Sequence, residues 1–115
     1  FKMLVKDIID KLSYEVVNEG NRMDSAVSTV ACCDLLSVAM GNIQADSAWV
    51  TVMSNINTLA VASLCDAACV VLAYDTQVAD DFTAKAAETG ITVFRTDKPV
   101  FDSALEIYKL MEAEG

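Results

Sequence analysis

Ala48-Trp49-Val50-Thr51-Val52-Met53-Ser54-Asn55-Ile56-Asn57-Thr58-Leu59-Ala60-Val61-Ala62-Ser63-Leu64 changes character halfway along its length. Trp49 to Met53 is a short run of aromatic and β-branched residues, which reads as a strand. Ser54 and Asn55 are turn formers, and the small and aliphatic residues from Asn57 to Leu64 read as a helix. The unit is therefore strand, turn, helix, and it recurs on both sides. Downstream, Ala68 to Ala73 predicts a strand, Val78 to Glu88 a helix ending at Gly90, and Ile91 to Phe94 a further strand. Upstream, Val27 to Cys33 is apolar and strand-compatible, and Asp34 to Gly41 predicts a short helix closed by Gly41. Strands that are apolar on consecutive positions need cover on both faces, which intervening helices supply. The expected architecture is a layered α/β domain with a mostly parallel sheet flanked by helices.

The two ends fit this frame. Val5, Ile8, Ile9 and Leu12 stand at i, i+3, i+4 and i+7 in a helix from about Lys2 to Leu12, and Tyr14 to Val17 reads as a short strand. Pro99 sits where a last helix begins, with Phe101, Ala104, Leu105, Tyr108 and Met111 expected on its buried side. A chain of 115 residues with 54% apolar content and a single Pro can build one core and offers no linker, so residues 1–115 are read as a single domain.

Charge and composition exclude several functions. Seventeen acidic against eight basic residues give a net charge of -9, which repels a phosphate backbone, and the basic residues are scattered; no nucleic-acid partner is expected. The longest apolar stretches are far short of a membrane span, so no membrane partner is expected either. Phe1 opens directly into an amphipathic pattern with no charged leader or cleavage site, so no signal peptide is read and a processed start is expected. Unpaired cysteines in that setting point to the cytoplasm.

Thr29-Val30-Ala31-Cys32-Cys33-Asp34-Leu35-Leu36-Ser37-Val38-Ala39-Met40, together with the helix Asn57 to Leu64, resembles the DRTGG domain family over about residues 3 to 111. In that resemblance the naming motif falls with its Asp on Asp24, its Arg on Ser25, its Thr on Ser28 and its two glycines on Thr29 and Val30. The motif is thus degenerate, and the similarity lies mostly outside it. The resemblance implies a fold similar to the N-terminal domain of HPr kinase/phosphorylase and a place in bacterial metabolic regulation. It also implies free-standing relatives beside iron-only hydrogenase subunits, or relatives fused to CBS domains. Kinase activity is not implied, because phosphoryl transfer needs a phosphate cradle and no G-x-x-x-x-G-K-[ST] occurs.

Four cysteines invite a metal reading, but adjacent Cys32 and Cys33 on a strand point to opposite faces, Cys65 and Cys69 lack the spacing of common sites, and there is no His. Buried thiols, no metal and no cofactor are expected. Nor do the residues assemble a carboxylate pair, a Ser-His or a Cys-His arrangement, so no catalytic residue is named and no enzyme is expected.

Ligands of open parallel sheets gather beyond the carboxyl ends of the strands. Those ends carry Asp34, Ser54, Asn55, Asn57, Thr58, Asp75 and Thr96, which are the candidate ligand-binding residues for a small polar or nucleotide-like molecule. The same residue types are ordinary at helix caps and turns, so the capping reading stands beside the binding one. The functional expectation is a non-enzymatic regulatory module that senses such a ligand, working as a homodimer. Its rival is a protein-interaction subunit of a hydrogenase or kinase component, a metabolic enzyme partner without any small ligand.

Overall fold

The computed structural model describes residues 2–114. Five strands, β1 (Glu15–Asn18), β2 (Thr29–Cys32), β3 (Ser47–Thr51), β4 (Cys69–Leu72) and β5 (Val93–Arg95), form one sheet in the order β1-β5-β4-β3-β2. The neighbours from β2 to β5 are parallel, and β1 closes the far edge antiparallel to β5. The expected α/β architecture is the observed one.

The parallel strands follow each other in sequence order, and this has a steric consequence. A right-handed crossover repeated in one direction across the sheet puts every connecting helix on the same face. The helices α2 (Leu36–Asn42), α3 (Ile56–Cys65) and α4 (Asp80–Thr89) accordingly share one side, where Leu59 and Phe82 pack with Trp49, Val70, Leu72 and Val93. On the opposite side α1 (Asp7–Leu12) and α5 (Val100–Glu114) bring Ile8, Ala104 and Ile107 against Ala48, Val50, Val71 and Phe94. Alternate residues of β3 and β4 thus serve two cores, and both strands are buried along their whole length. Each large aliphatic or aromatic side chain so enclosed contributes about 1.5–3 kcal/mol.

Trp49 is fully buried and its indole Nε1 donates to the Cys33 carbonyl at 2.9 Å. Cys33 packs with the α2–α4 core while neighbouring Cys32 is exposed, the opposed orientation expected of adjacent strand residues. All four cysteines are free thiols, and burial pushes that of Cys69 up to about 12 despite the opposing charge of Arg22.

Three expectations are corrected. Of the four thiols expected to be buried only Cys69 is; Cys33 and Cys65 are half-buried and Cys32 is exposed, because it ends the edge strand. Gly41 does not close α2: it lies within the helix, which ends at extended Ile43 with the cap N–H returned to the Ala39 carbonyl. On α5, Phe101, Leu105 and Tyr108 are not buried, being 70%, 36% and 51% exposed, whereas Ser103, Ala104 and Ile107 face the sheet. Pro99 does precede the helix, but the helix is rotated so that its smaller residues meet the strands. Ser103 satisfies its buried hydroxyl on the Pro99 carbonyl at 2.9 Å, which removes the cost of facing it inward.

At the amino ends of β3 and β4 the chain is fastened by Arg22. Its guanidinium donates to Ser25 Oγ at 2.7 Å, pairs with Asp46 at 2.7 Å and Asp66 at 3.0 Å, and reaches the Ala67 carbonyl at 3.3 Å. Asp46 and Asp66 both have positive φ, 62° and 59°, so the fork anchors two left-handed turns at once. Beside it Gly20 is irreplaceable: at φ 64° a Cβ would stand 2.5 Å from the Gly90 carbonyl oxygen.

Candidate functional site

The connection after β4 turns toward α4 on one face, and the connection after its neighbour β5 turns toward α5 on the other. Where adjacent parallel strands send their connections to opposite faces, a crevice opens at their carboxyl ends. Antiparallel β1 begins at that same end, so its first residues form the third wall. The result is a cleft of about 380 Å³ lined by Leu12 to Glu15, by Asp75, and by Arg95 to Lys98.

The floor is held by unusual backbone. Tyr74 and Asp75 are consecutive non-glycine residues with φ of 57° and 52°. Such conformations cost roughly 1–3 kcal/mol each and persist where surrounding bonds impose them. Here the Tyr74 N–H donates to the Lys98 carbonyl at 2.9 Å and the Asp75 N–H to the Thr96 carbonyl at 2.8 Å, while Thr76 Oγ1 donates to the Ala73 carbonyl at 2.6 Å. The β4 turn is therefore stitched to the strand leaving β5, and the Tyr74 side chain is left 60% exposed.

Charges on the walls come as engaged pairs. Arg95 faces Glu15 across the β1–β5 register, with Nη2 to Oε1 at 2.9 Å and Nε to Oε1 at 3.1 Å, and Nε also meets Asp75 Oδ1 at 3.3 Å. Lys98 Nζ pairs with Glu106 Oε2, and the Tyr14 hydroxyl donates to Glu106 Oε1 at 2.6 Å. Burial pushes the Glu106 carboxyl up, but the hydrogen bonds from Lys98 and Tyr14 and the charge of Lys98 outweigh it and hold the group below the ordinary carboxylate range. Burial, and then the bond to that carboxylate, push the Tyr14 phenol far above its ordinary value. Tyr14 is thus a fixed donor at neutral pH. The cleft offers guanidinium and ammonium donors beside carboxylate acceptors, a surface suited to a small molecule with both kinds of polar edge.

Of the seven candidate residues, Asp75 and Thr96 line the cleft. Four others meet needs of the fold. Asp34 Oδ1 accepts from Thr51 Oγ1 at 2.7 Å and from the Val52 N–H at 2.9 Å. Ser54 Oγ donates to the Gln77 carbonyl at 2.8 Å. Asn55 is the N-cap of α3, accepting from the Asn57 N–H at 2.9 Å, and buried Thr58 donates back to the Met53 carbonyl at 2.9 Å. Asn57 is exposed in the first turn of α3. The candidates lie on one end of the sheet, as expected, but the crevice collects only those next to β5. Tyr14, Glu15, Arg95 and Lys98, which also line the cleft, are not among the seven. The signal available was the opposite charge of Glu15 and Arg95, which pairs two strands far apart in sequence.

Among the described residues no group of three His, Cys, Asp or Glu side chains could hold a metal ion, and no helix is long and apolar enough to cross a membrane. A second depression of about 340 Å³ has a different character, being lined by Val30, Cys32, Phe101, Ala104, Leu105 and Tyr108.

No family model matches the chain, and no curated protein matches it in sequence. Among solved structures, its fold is similar to that of the regulatory region of Clostridium perfringens pyrophosphatase. That region comprises CBS and DRTGG domains, in complex with the activator diadenosine tetraphosphate. The TM-score is 0.72 at 15% identity, over 89% of this chain and 44% of that one. The fold is therefore DRTGG-like, and the chain spans less than half the length of that regulatory region.

Proposed function

We propose that this chain is a DRTGG-type regulatory module that works without turnover. It senses a small polar or nucleotide-like ligand in the bacterial cytoplasm, pairs with itself, and transmits occupancy of the cleft to a metabolic enzyme. The observation that carries this reading is the crevice between the diverging β4 and β5 connections, with its mixed donors and acceptors and left-handed Asp75 in its lining. Its volume falls within the range of small-molecule sites, about 300–1,000 Å³. The similarity of fold to a region crystallised with a nucleotide activator supports the ligand class. Within the cleft Lys98 gives a phosphate a cation to displace Glu106 from.

A thermal-shift panel of adenosine mono-, di- and triphosphate and diadenosine tetraphosphate tests it. A ligand at about one hundred times its Kd stabilises the native state by about 2.7 kcal/mol, so the shift must grow with concentration. Lys98→Met and Asp75→Asn are expected to abolish it, and chromatography is expected to recover the nucleotide unchanged. If no member of the panel moves the Tm, or the shift survives both substitutions, the sensing reading is wrong. The rival, an interaction subunit of a hydrogenase or kinase component, draws on the apolar depression beside α5; it requires a stoichiometric partner and no ligand response.

A further inference from the structure

The edge of the sheet at β2 is unusual in what it lacks. Its four residues, Thr29-Val30-Ala31-Cys32, pair only with β3 among the described residues, and they carry neither charge nor Pro, although 22% of the chain is charged. Open edges of this kind recruit other strands, and proteins ordinarily guard them with charge, Pro or a covering element. The flanks add apolar surface instead. Of the eleven exposed large apolar side chains among the described residues, Phe101, Leu105 and Tyr108 lie on α5 over this edge, and Leu35, Val38 and Met40 lie on or next to α2, the outermost helix of the other face.

We infer that this side of the molecule is the docking surface for a second copy of the same chain, with α5 packed antiparallel against α5 of that copy across a two-fold axis near Leu105. The inference rests on the self-pairing proposed above and gives it a place. The argument for a second copy over a foreign protein is charge register. Phe101, Leu105 and Tyr108 stand at i, i+4 and i+7 and form one stripe, and exposed Asp102 and Lys109 stand seven residues apart on the same flank of it. In an isologous contact residue i meets residue j and j meets i. A dyad midway between Asp102 and Lys109 therefore brings each Asp102 to the partner's Lys109, twice, along the rim of an apolar centre. A stable interface takes roughly 800 Å² from each partner, about one seventh of the 5788 Å² surface.

Sedimentation velocity over a concentration series tests this with the intact chain. The wild type is expected to dimerise and Leu105→Glu to sediment as a folded monomer, since that position is exposed and circular dichroism should be unchanged. Asp102→Lys alone and Lys109→Asp alone each place like charges together and are expected to weaken the dimer about 10-fold. The double reversal is expected to restore it to within about threefold, a rescue only a self-complementary contact produces. A wild type that stays monomeric throughout overturns both the pairing and its location. A dimer indifferent to Leu105→Glu, or charge reversals without mutual rescue, overturns the location and leaves the pairing intact.

Discussion

Replacing Glu106 by Gln removes one negative charge from beneath the cleft and little else. In the native protein Oε1 accepts the Tyr14 hydroxyl at 2.6 Å and Oε2 pairs with Lys98, whose side chain is 42% exposed. Gln retains an acceptor for Tyr14, so that bond falls from a charge-assisted to a neutral one, a loss of about 1 kcal/mol. The pair with Lys98 is screened by solvent and adds about 0.5 kcal/mol. Together the substitution should cost about 1.5 kcal/mol, which for a domain of this size lowers the Tm by roughly 5 °C. The pH dependence fixes the sign. The Glu106 carboxyl is held below its ordinary range, so its stabilisation is fully present above the unfolded-state value of about 4.3 and is lost as pH falls through the lower folded value. Urea denaturation of wild type and Glu106→Gln should therefore show a constant gap from pH 7 to pH 5 that narrows below about pH 4. A gap that is unchanged at pH 3, or absent at pH 7, refutes the assignment of Tyr14, Glu106 and Lys98 as one network.

Two further substitutions separate architecture from binding. Arg22→Lys keeps the charge but cannot reach Ser25, Asp46, Asp66 and Ala67 together, so it should cost about 2 kcal/mol in urea denaturation, nearly as much as Arg22→Ala. Full stability in the Lys variant would mean charge alone suffices. Asn55→Ala removes the N-cap of α3 and should cost about 1 kcal/mol while leaving any nucleotide-dependent Tm shift unchanged; loss of that shift would return Asn55 to the binding site.

For four of the candidate residues the structure shows the loop-closing or capping contact that stood beside the binding reading. Asp34, Ser54, Asn55 and Thr58 have the side chains that bind ligands, and the same oxygens close loops and cap helices. Local sequence does not say which partner wins, because the competing donors come from Thr51, Gln77 and Asn57, whose positions are set only when the strands assemble. The rotation of α5 was hidden likewise. Phe101, Leu105 and Tyr108 have the period of a buried stripe, and Ser103 with Ala104 and Ile107 has it too. The sheet, lined by Val50, Val71 and Phe94, accepts the slimmer face.

The alternation of buried strands and covering helices was legible in the residues themselves. Period and β-branching are local properties, and a strand such as Cys69–Leu72, apolar on every position, has no stable place except between two layers. The strand order was not legible, and neither was anything that depends on it. Placing antiparallel β1 beside β5 joins Glu15 to Arg95 across 80 positions of sequence, and the opposed departures of the chain after β4 and β5 open the cleft between them. Those are pairings between segments distant along the chain, decided by which packing buries the most apolar surface, and only the assembled tertiary structure contains that decision.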